Sequence, residues 1–236
     1  MNPLLLRRAA AEFLGTCLLV AAVVGSGVMA SRLSPNDVGL QLLQNSLATG
    51  AALVALIVAL QPVSASFNPV VTLVERVLRI IDTRTAALLV AAQVVGGLAG
   101  SVVANLMFDL APVTLSTRER TGPGLWLAEV IATAGLLVIV FGTIRSGRPD
   151  RVAIAVGGYI AAAYWFTSST SFANPAVTIA RTITDTFAGI TPASAPGFIA
   201  AQLVGGALGL FLVRLLYPQT TDVSAADAAA DRKVLS

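Results

Sequence analysis

Two short stretches constrain this chain more than anything else in it. One is Ser66-Phe67-Asn68-Pro69-Val70-Val71-Thr72, the other Ser171-Phe172-Ala173-Asn174-Pro175-Ala176-Val177-Thr178. Each places an Asn-Pro pair ahead of a short apolar run. Asn is a strong N-cap because its side-chain oxygen accepts a backbone N–H of the first turn. Pro suits the first helical position, where no N–H is needed and φ is already helical. Each stretch therefore predicts a helix start. The surrounding chain is 56% hydrophobic and only 11% charged, against roughly 25% charged in soluble domains. Several apolar runs reach about 20 residues, enough to cross a hydrocarbon core of roughly 30 Å. A helix that begins inside a membrane leaves N–H groups that lipid cannot satisfy, so it must face protein or a water-filled cavity. Two such starts in matching halves point to a site near the bilayer midplane.

The pattern predicts an all-α membrane protein with six spans and two half-helices. The spans fall at about 9–30, 39–60, 85–108, 124–144, 152–166 and 195–217. The first is too long for a signal-peptide core and ends without a cleavage site. The half-helices run from Asn68 to about Leu78 and from Asn174 to about Phe187. Residues 1–217 read as a single membrane domain, and the Ala-, Asp- and Ser-rich stretch 218–236 as a disordered tail.

The domain is an internal repeat, about 8–108 and 124–217. Ala11-Glu12-Phe13-Leu14-Gly15-Thr16 corresponds to Ala128-Glu129-Val130-Ile131-Ala132-Thr133, and Gln93-Val94-Val95-Gly96-Gly97 to Gln202-Leu203-Val204-Gly205-Gly206. Three spans per unit is an odd number, so the second unit enters from the opposite side. The two half-helix N-termini then meet near the middle. Gly96 with Gly100, and Gly205 with Gly209, form small-xxx-small pairs that predict close helix crossings. Basic residues orient the chain. With both termini cytoplasmic, Arg7, Arg8, Arg76, Arg79, Arg84, Arg145, Arg148, Arg151 and Arg214 fall inside, and Arg32, Arg118, Arg120 and Arg181 outside.

Other classes are excluded by composition. Without histidine there is no imidazole for catalysis, metal binding or a switch near neutral pH. A single Cys17 allows neither an intrachain disulfide nor a cysteine metal cluster. No nucleophile–base pair points to an enzyme, and no cofactor or metal is expected. A net charge of +3 is no nucleic-acid footprint.

Asn68-Pro69-Val70 and Asn174-Pro175-Ala176, at equivalent places in a duplicated three-span unit, resemble the major intrinsic proteins, the aquaporins and aquaglyceroporins. The resemblance covers about Arg8 to Tyr217. It implies six tilted helices around a pore, a homotetramer in a bacterial inner membrane, and asparagines that donate N–H groups to small neutral solutes. Val70 stands where the family usually has Ala. Physics supports the same mechanism: each half-helix N-terminus carries roughly half a positive elementary charge, so two facing one point repel cations, and an aliphatic wall does not replace an ion's hydration.

The family's narrowest ring takes one residue from span two, one from span five and two from the second loop. The last is typically an Arg directly after the second Asn-Pro-Ala. An ungapped match places Ala48, Ala162, Ser171 and Val177 in this ring, making it small, uncharged and wide. Arg181 follows about one helical turn later and is not expected to replace the missing Arg. The alternative is that Tyr164 or Phe172 folds in and narrows the ring. The approach Ala163-Tyr164-Trp165-Phe166-Thr167 resembles bacterial members associated with arsenic resistance. Water, glycerol and arsenous acid are the solutes this implies.

Glu12 and Glu129 are acids well inside spans, which by default marks a functional site. As proton relays they would make the chain a coupled secondary transporter. As acceptors of backbone N–H groups they would brace the loops ahead of the half-helices, the role the family resemblance implies. A closed structural membrane protein is the third reading.

Overall fold

The computed structural model describes residues 2–218. Most of the predicted tail, 219–236, lies outside the described residues. The described chain forms α1 (Pro3–Leu33), α2 (Val38–Leu60), α3 (Pro69–Val77), α4 (Thr83–Met107), α5 (Pro123–Arg145), α6 (Val152–Phe166), α7 (Pro175–Ala180) and α8 (Ala195–Leu216).

Helix starts follow their caps. Asn2 precedes Pro3 and accepts the Leu4 N–H at 3.0 Å, so a third Asn-Pro pair opens α1 six residues before the expected start. Asp37 accepts from Leu40 at 2.8 Å to open α2, and Asp82 from Thr85 at 2.8 Å to open α4. Five helices, α1, α2, α4, α5 and α8, are long and apolar enough to cross a membrane. The sixth span, α6, has 15 residues, about 22 Å at the helical rise. A 3-10 turn at Pro149–Arg151 leads into it.

The second half-helix is shorter than expected. α7 ends at Ala180 and tightens into a 3-10 turn at Arg181–Ile183, instead of continuing to Phe187. The cause is a chain reversal: Thr184 is extended, the Ile190 N–H returns to the Arg181 carbonyl at 3.3 Å, and the Arg181 side chain donates to the Ala188 carbonyl.

The repeat governs the packing. α1 packs on α4 as α5 packs on α8, and α2 meets α6. At Gly96 and Gly100 a Cβ would sit 2.3 Å from the carbonyl oxygens of Phe13 and Cys17 on α1. At Gly205 it would sit 2.5 Å from the Val130 oxygen on α5. Only glycine permits these crossings. Where α2 meets α6, a Cβ at Gly50 would be 2.9 Å from the Gly157 oxygen, and one at Gly157 would be 2.6 Å from the Gly50 oxygen. This reciprocal contact lies where the repeats exchange.

The polarity is that of a membrane protein with a polar interior. Large apolar side chains such as Leu47, Val58 and Phe211 are exposed, while Glu12, Gln93, Glu129 and Gln202 are fully buried. At one face, Gln61 donates to the Pro149 carbonyl at 3.1 Å and Arg145 to the Tyr217 carbonyl at 2.5 Å. This is the N-terminal face. At the opposite face Arg32 donates to the Phe108 carbonyl at 2.6 Å, and the Thr191 N–H to the Arg118 carbonyl at 2.8 Å.

Candidate functional site

The two half-helices begin at the centre of the fold and are pinned to each other. Asn68 Oδ1 caps α3 by accepting the Val70 N–H at 2.9 Å, and Asn68 Nδ2 donates across to the Ala173 carbonyl at 2.7 Å. Asn174 Oδ1 caps α7 by accepting from Ala176 at 3.0 Å and Val177 at 3.2 Å. Its Nδ2 donates to the Phe67 carbonyl at 2.7 Å. One amide hydrogen of each Asn is thus held by the opposite loop. A carboxamide has two, so one on each Asn remains without a protein acceptor among the described residues. Pro69 and Pro175 occupy the first helical positions. Val70 is buried against Gly206, at whose Cβ position its Cγ1 lies 2.6 Å away. It fills the α3–α8 contact rather than the pore.

The loops before the half-helices adopt backbone that side chains avoid. Phe67, Thr170, Ser171 and Ala173 all have φ between 47° and 61°. Such left-handed positions cost about 1–3 kcal/mol each and persist only where the surroundings over-determine them. Glu12 and Glu129 do this. Glu12 accepts from Ser64 Oγ (2.5 Å), Ser66 N (2.9 Å), Phe67 N (2.7 Å) and Gln93 Nε2 (2.8 Å). Glu129 accepts from Ser169 Oγ (2.6 Å), Phe172 N (2.9 Å), Ala173 N (2.8 Å) and Gln202 Nε2 (2.7 Å). Gln93 and Gln202 also donate to Thr72 and Thr178 of the half-helices, at 2.8 and 2.9 Å. Each carboxylate oxygen takes two donors, and neither acid lines the cavity described below.

Glu129→Gln is therefore expected to destabilise the protein. The amide would replace one acceptor oxygen by NH2. Ser169 Oγ or Gln202 Oε1 can turn to receive it, but the Phe172 or Ala173 N–H cannot. One buried N–H is left unpaired, at about 1–3 kcal/mol. Thermal unfolding in detergent checks this: a Glu129→Gln variant as stable as the wild type would mean that the loop does not depend on the acid.

A cavity of ≈ 300 Å3 runs past both asparagines. It reaches the N-terminal face beside Arg8 and Gln61 and extends to Thr49, Tyr164 and Arg181 towards the other face. Each half-helix contributes positions i, i+3 and i+7: Asn68, Val71 and Glu75 in one, Asn174, Val177 and Arg181 in the other. This is the spacing of a single helix face.

The residues expected in the ring fall in different places. Ser171 and Val177 line the cavity, and the buried Ser171 Oγ has no partner among the described residues. Ala48 and Ala162 do not line it, which corrects the ungapped match. The pore face of α2 is Thr49, Leu53 and Ile57, and that of α6 is Val156, Ile160 and Tyr164. At 3.6 residues per turn, Ala48 sits one step off the first face and Ala162 half a turn from Ile160 and Tyr164. Ala162 is exposed and Ala48 half-buried. In their places stand Thr49 and Tyr164, whose hydroxyls are 3.1 Å apart.

Arg181 supplies the larger correction. It lines the cavity one turn beyond Val177 and is only 2% exposed. Its guanidinium carbon lies 3.4 Å from the centroid of the Phe172 ring. Nε donates to the Ala188 carbonyl, while the Nη groups have no hydrogen-bond partner among the described residues. A charge does stand at this end of the pore, brought by a residue from outside the family motif. Arg120 lies over the same Phe172 ring at 5.1 Å and is tied to the Gly189 carbonyl at 2.9 Å.

The family model described as Major intrinsic protein matches residues 2–151 and again 126–235, spanning both repeats. The chain is a major intrinsic protein. It is 52% identical to aquaglyceroporin AqpS of Rhizobium meliloti (strain 1021) over 90% of its own length and 91% of that protein. Aquaporin-5 of Rattus norvegicus is 33% identical over 62% of this chain and 57% of its own length. The X-ray structure of the aquaglyceroporin from Plasmodium falciparum superposes with a TM-score of 0.71, covering 91% of this chain and 98% of that one. At 17% identity it shows the fold alone. Within this major intrinsic protein, sequence reasoning missed Thr49, Glu75 and the pore-lining place of Arg181. Gln93 and Gln202 carried a readable signal: an amide at the same place in both repeats, inside an apolar span.

Proposed function

We propose that this major intrinsic protein is a passive, bidirectional channel for small neutral solutes that carry hydroxyl groups. Water and glycerol lead the class, and arsenous acid belongs to it by shape and hydroxyl chemistry. The observation that carries the reading is the cavity itself, which passes both half-helix N-termini and both motif asparagines. The positive helix ends there repel cations, and the second amide hydrogen of Asn68 and of Asn174 meets a solute oxygen. Thr49, Tyr164, Ser171 and Arg181 then form a polar constriction in place of the wide apolar ring that Ala48 and Ala162 would have made. The name of the Rhizobium relative, an aquaglyceroporin, supports glycerol as a solute.

A proton-coupled mechanism finds no support in the acids. Glu12 and Glu129 are fully buried, outside the cavity lining, and each is saturated by four donors. Orientation follows the basic residues: the N-terminal face is cytoplasmic, since it carries nine arginines, Arg7, Arg8, Arg145 and Arg148 among them, against Arg32, Arg118, Arg120 and Arg181 on the other side. A homotetramer is the assembly proposed from family membership.

Stopped-flow light scattering on proteoliposomes tests the channel reading, with water, glycerol and arsenous acid compared side by side. Glycerol flux is expected to rise linearly with concentration and to persist when a proton gradient is collapsed. Saturable flux that stops without the gradient would replace the channel by a transporter. Absence of all solute flux would leave the structural-protein reading.

A further inference from the structure

The pore faces of the two half-helices match at the first two positions and differ at the third. Asn68 and Val71 correspond to Asn174 and Val177 of the second repeat, but Glu75 stands where the second repeat has Arg181. Resting on the channel reading above, we infer that Glu75 is a second selectivity residue. Its negative charge excludes small inorganic anions that Arg181 and the half-helix N-termini would otherwise admit.

The need for such a residue follows from the charges around the cavity. Two half-helix N-termini, each worth roughly half an elementary charge, converge on the midpoint. The Arg181 guanidinium, whose Nη groups have no hydrogen-bond partner among the described residues, stands beyond them. All three repel cations, and all three attract a chloride- or nitrate-sized anion. A pore with these features alone selects by sign in one direction only. Glu75 provides the opposite sign on the path to the N-terminal face.

Its surroundings fit this role better than a role in folding. Glu75 lies in the last turn of α3, which ends at Val77. An acid there opposes the helix dipole, so helix stability does not call for it. Oε1 accepts from Ser66 Oγ at 3.2 Å, and Oε2 is buried with no partner among the described residues. Glu12, by contrast, has every bond a bracing acid can make. The two nearby arginines do not hydrogen-bond to Glu75: Arg76 Nε donates to Thr83 at 2.7 Å, and Arg8 lines the same mouth without a bond to the carboxylate.

The test compares wild type, E75Q, E75A and E75D in proteoliposomes at pH 8. Nitrate permeability is read from anion-gradient potentials, and glycerol permeability from light scattering on the same vesicles. Elution as a single species and thermal stability verify folding. A like charge about 4 Å from the path is worth roughly fivefold in bulk water and far more at the lower effective dielectric of a protein surface. The nitrate-to-glycerol permeability ratio is therefore expected to rise about tenfold in E75Q and E75A and to stay low in E75D. Adding R181Q to E75Q is expected to lower the ratio again. An unchanged ratio in folded E75Q and E75A overturns the inference, as does an equal rise in E75D. A wild type that passes no glycerol overturns the channel reading instead, and a nitrate leak confined to the uncharged variants would still support the barrier.

Discussion

Asn174→Leu is expected to lower water and glycerol flux by about tenfold or more while leaving a folded protein. The leucine loses three functions at one position. It cannot cap α7, where Asn174 Oδ1 accepts from Ala176 and Val177; a lost cap costs about 1 kcal/mol. It cannot donate to the Phe67 carbonyl, now bonded at 2.7 Å, and a buried unpaired acceptor costs about 1–3 kcal/mol. It also removes the amide hydrogen left for the solute. The first two losses lower stability by an amount that a helical bundle with eight packed helices tolerates. The third acts on transport alone, because a solute stripped of water at the midpoint is left with the Asn68 amide as its one side-chain donor there. Thermal unfolding and stopped-flow flux on the same preparation separate the effects. A modest drop in unfolding temperature with near-complete loss of flux is the expected pair. Full flux from the folded variant would show that Asn174 only caps a helix.

Much of this arrangement was legible in the residues, because it depends on local chemistry that repeats. Asn-Pro marked both half-helices, and the same pair at Asn2-Pro3 marks the start of α1. Acids at equivalent places, Glu12 and Glu129, left two readings, relay or brace, and the structure surrounds each with loop N–H groups. Small-xxx-small spacing located the crossings of α1 with α4 and α5 with α8, where glycine meets carbonyl oxygen.

What was not legible depends on helix phase and on chain reversal. A count from the motifs placed Ala48 and Ala162 in the ring, but a single residue on a helix is 100° of rotation. The intervening loops, 61–68 and 167–174, set that phase, and their left-handed residues follow no periodic pattern. Thr49 and Tyr164 therefore stand where alanines were expected. The place of Arg181 was hidden for another reason. Its distance along the helix, one turn past Val177, follows from the spacing alone. The fold then ends the helix at Ala180 and returns the chain, so that Ala188 and Phe172 hold the guanidinium against the cavity. Contacts set by such a reversal leave no periodic trace in the sequence.

Arg181→Ala is expected to raise glycerol flux several-fold, and flux of longer polyols by more, with a smaller change for water. The Arg181 guanidinium lines the cavity together with Thr49, Tyr164 and Ser171. Its removal opens a gap that the short Val177 side chain does not fill. Water already passes a narrow pore, so widening favours the larger solutes. Stability is not expected to fall in step. The variant loses the bond to the Ala188 carbonyl and the contact with the Phe172 ring, about 2 kcal/mol for a desolvated cation–π pair. It also removes a buried charge, whose desolvation costs several kcal/mol. The unfolding temperature should therefore stay level or rise as glycerol flux increases. Val177→Ala serves as the contrast: it trims an aliphatic wall without touching the charge and should change the glycerol-to-water ratio far less. The measurement is that ratio, from light scattering on vesicles with matched protein content. A folded Arg181→Ala variant with the wild-type ratio would place the constriction elsewhere, and a ratio moved more by Val177→Ala would return it to the family's usual position.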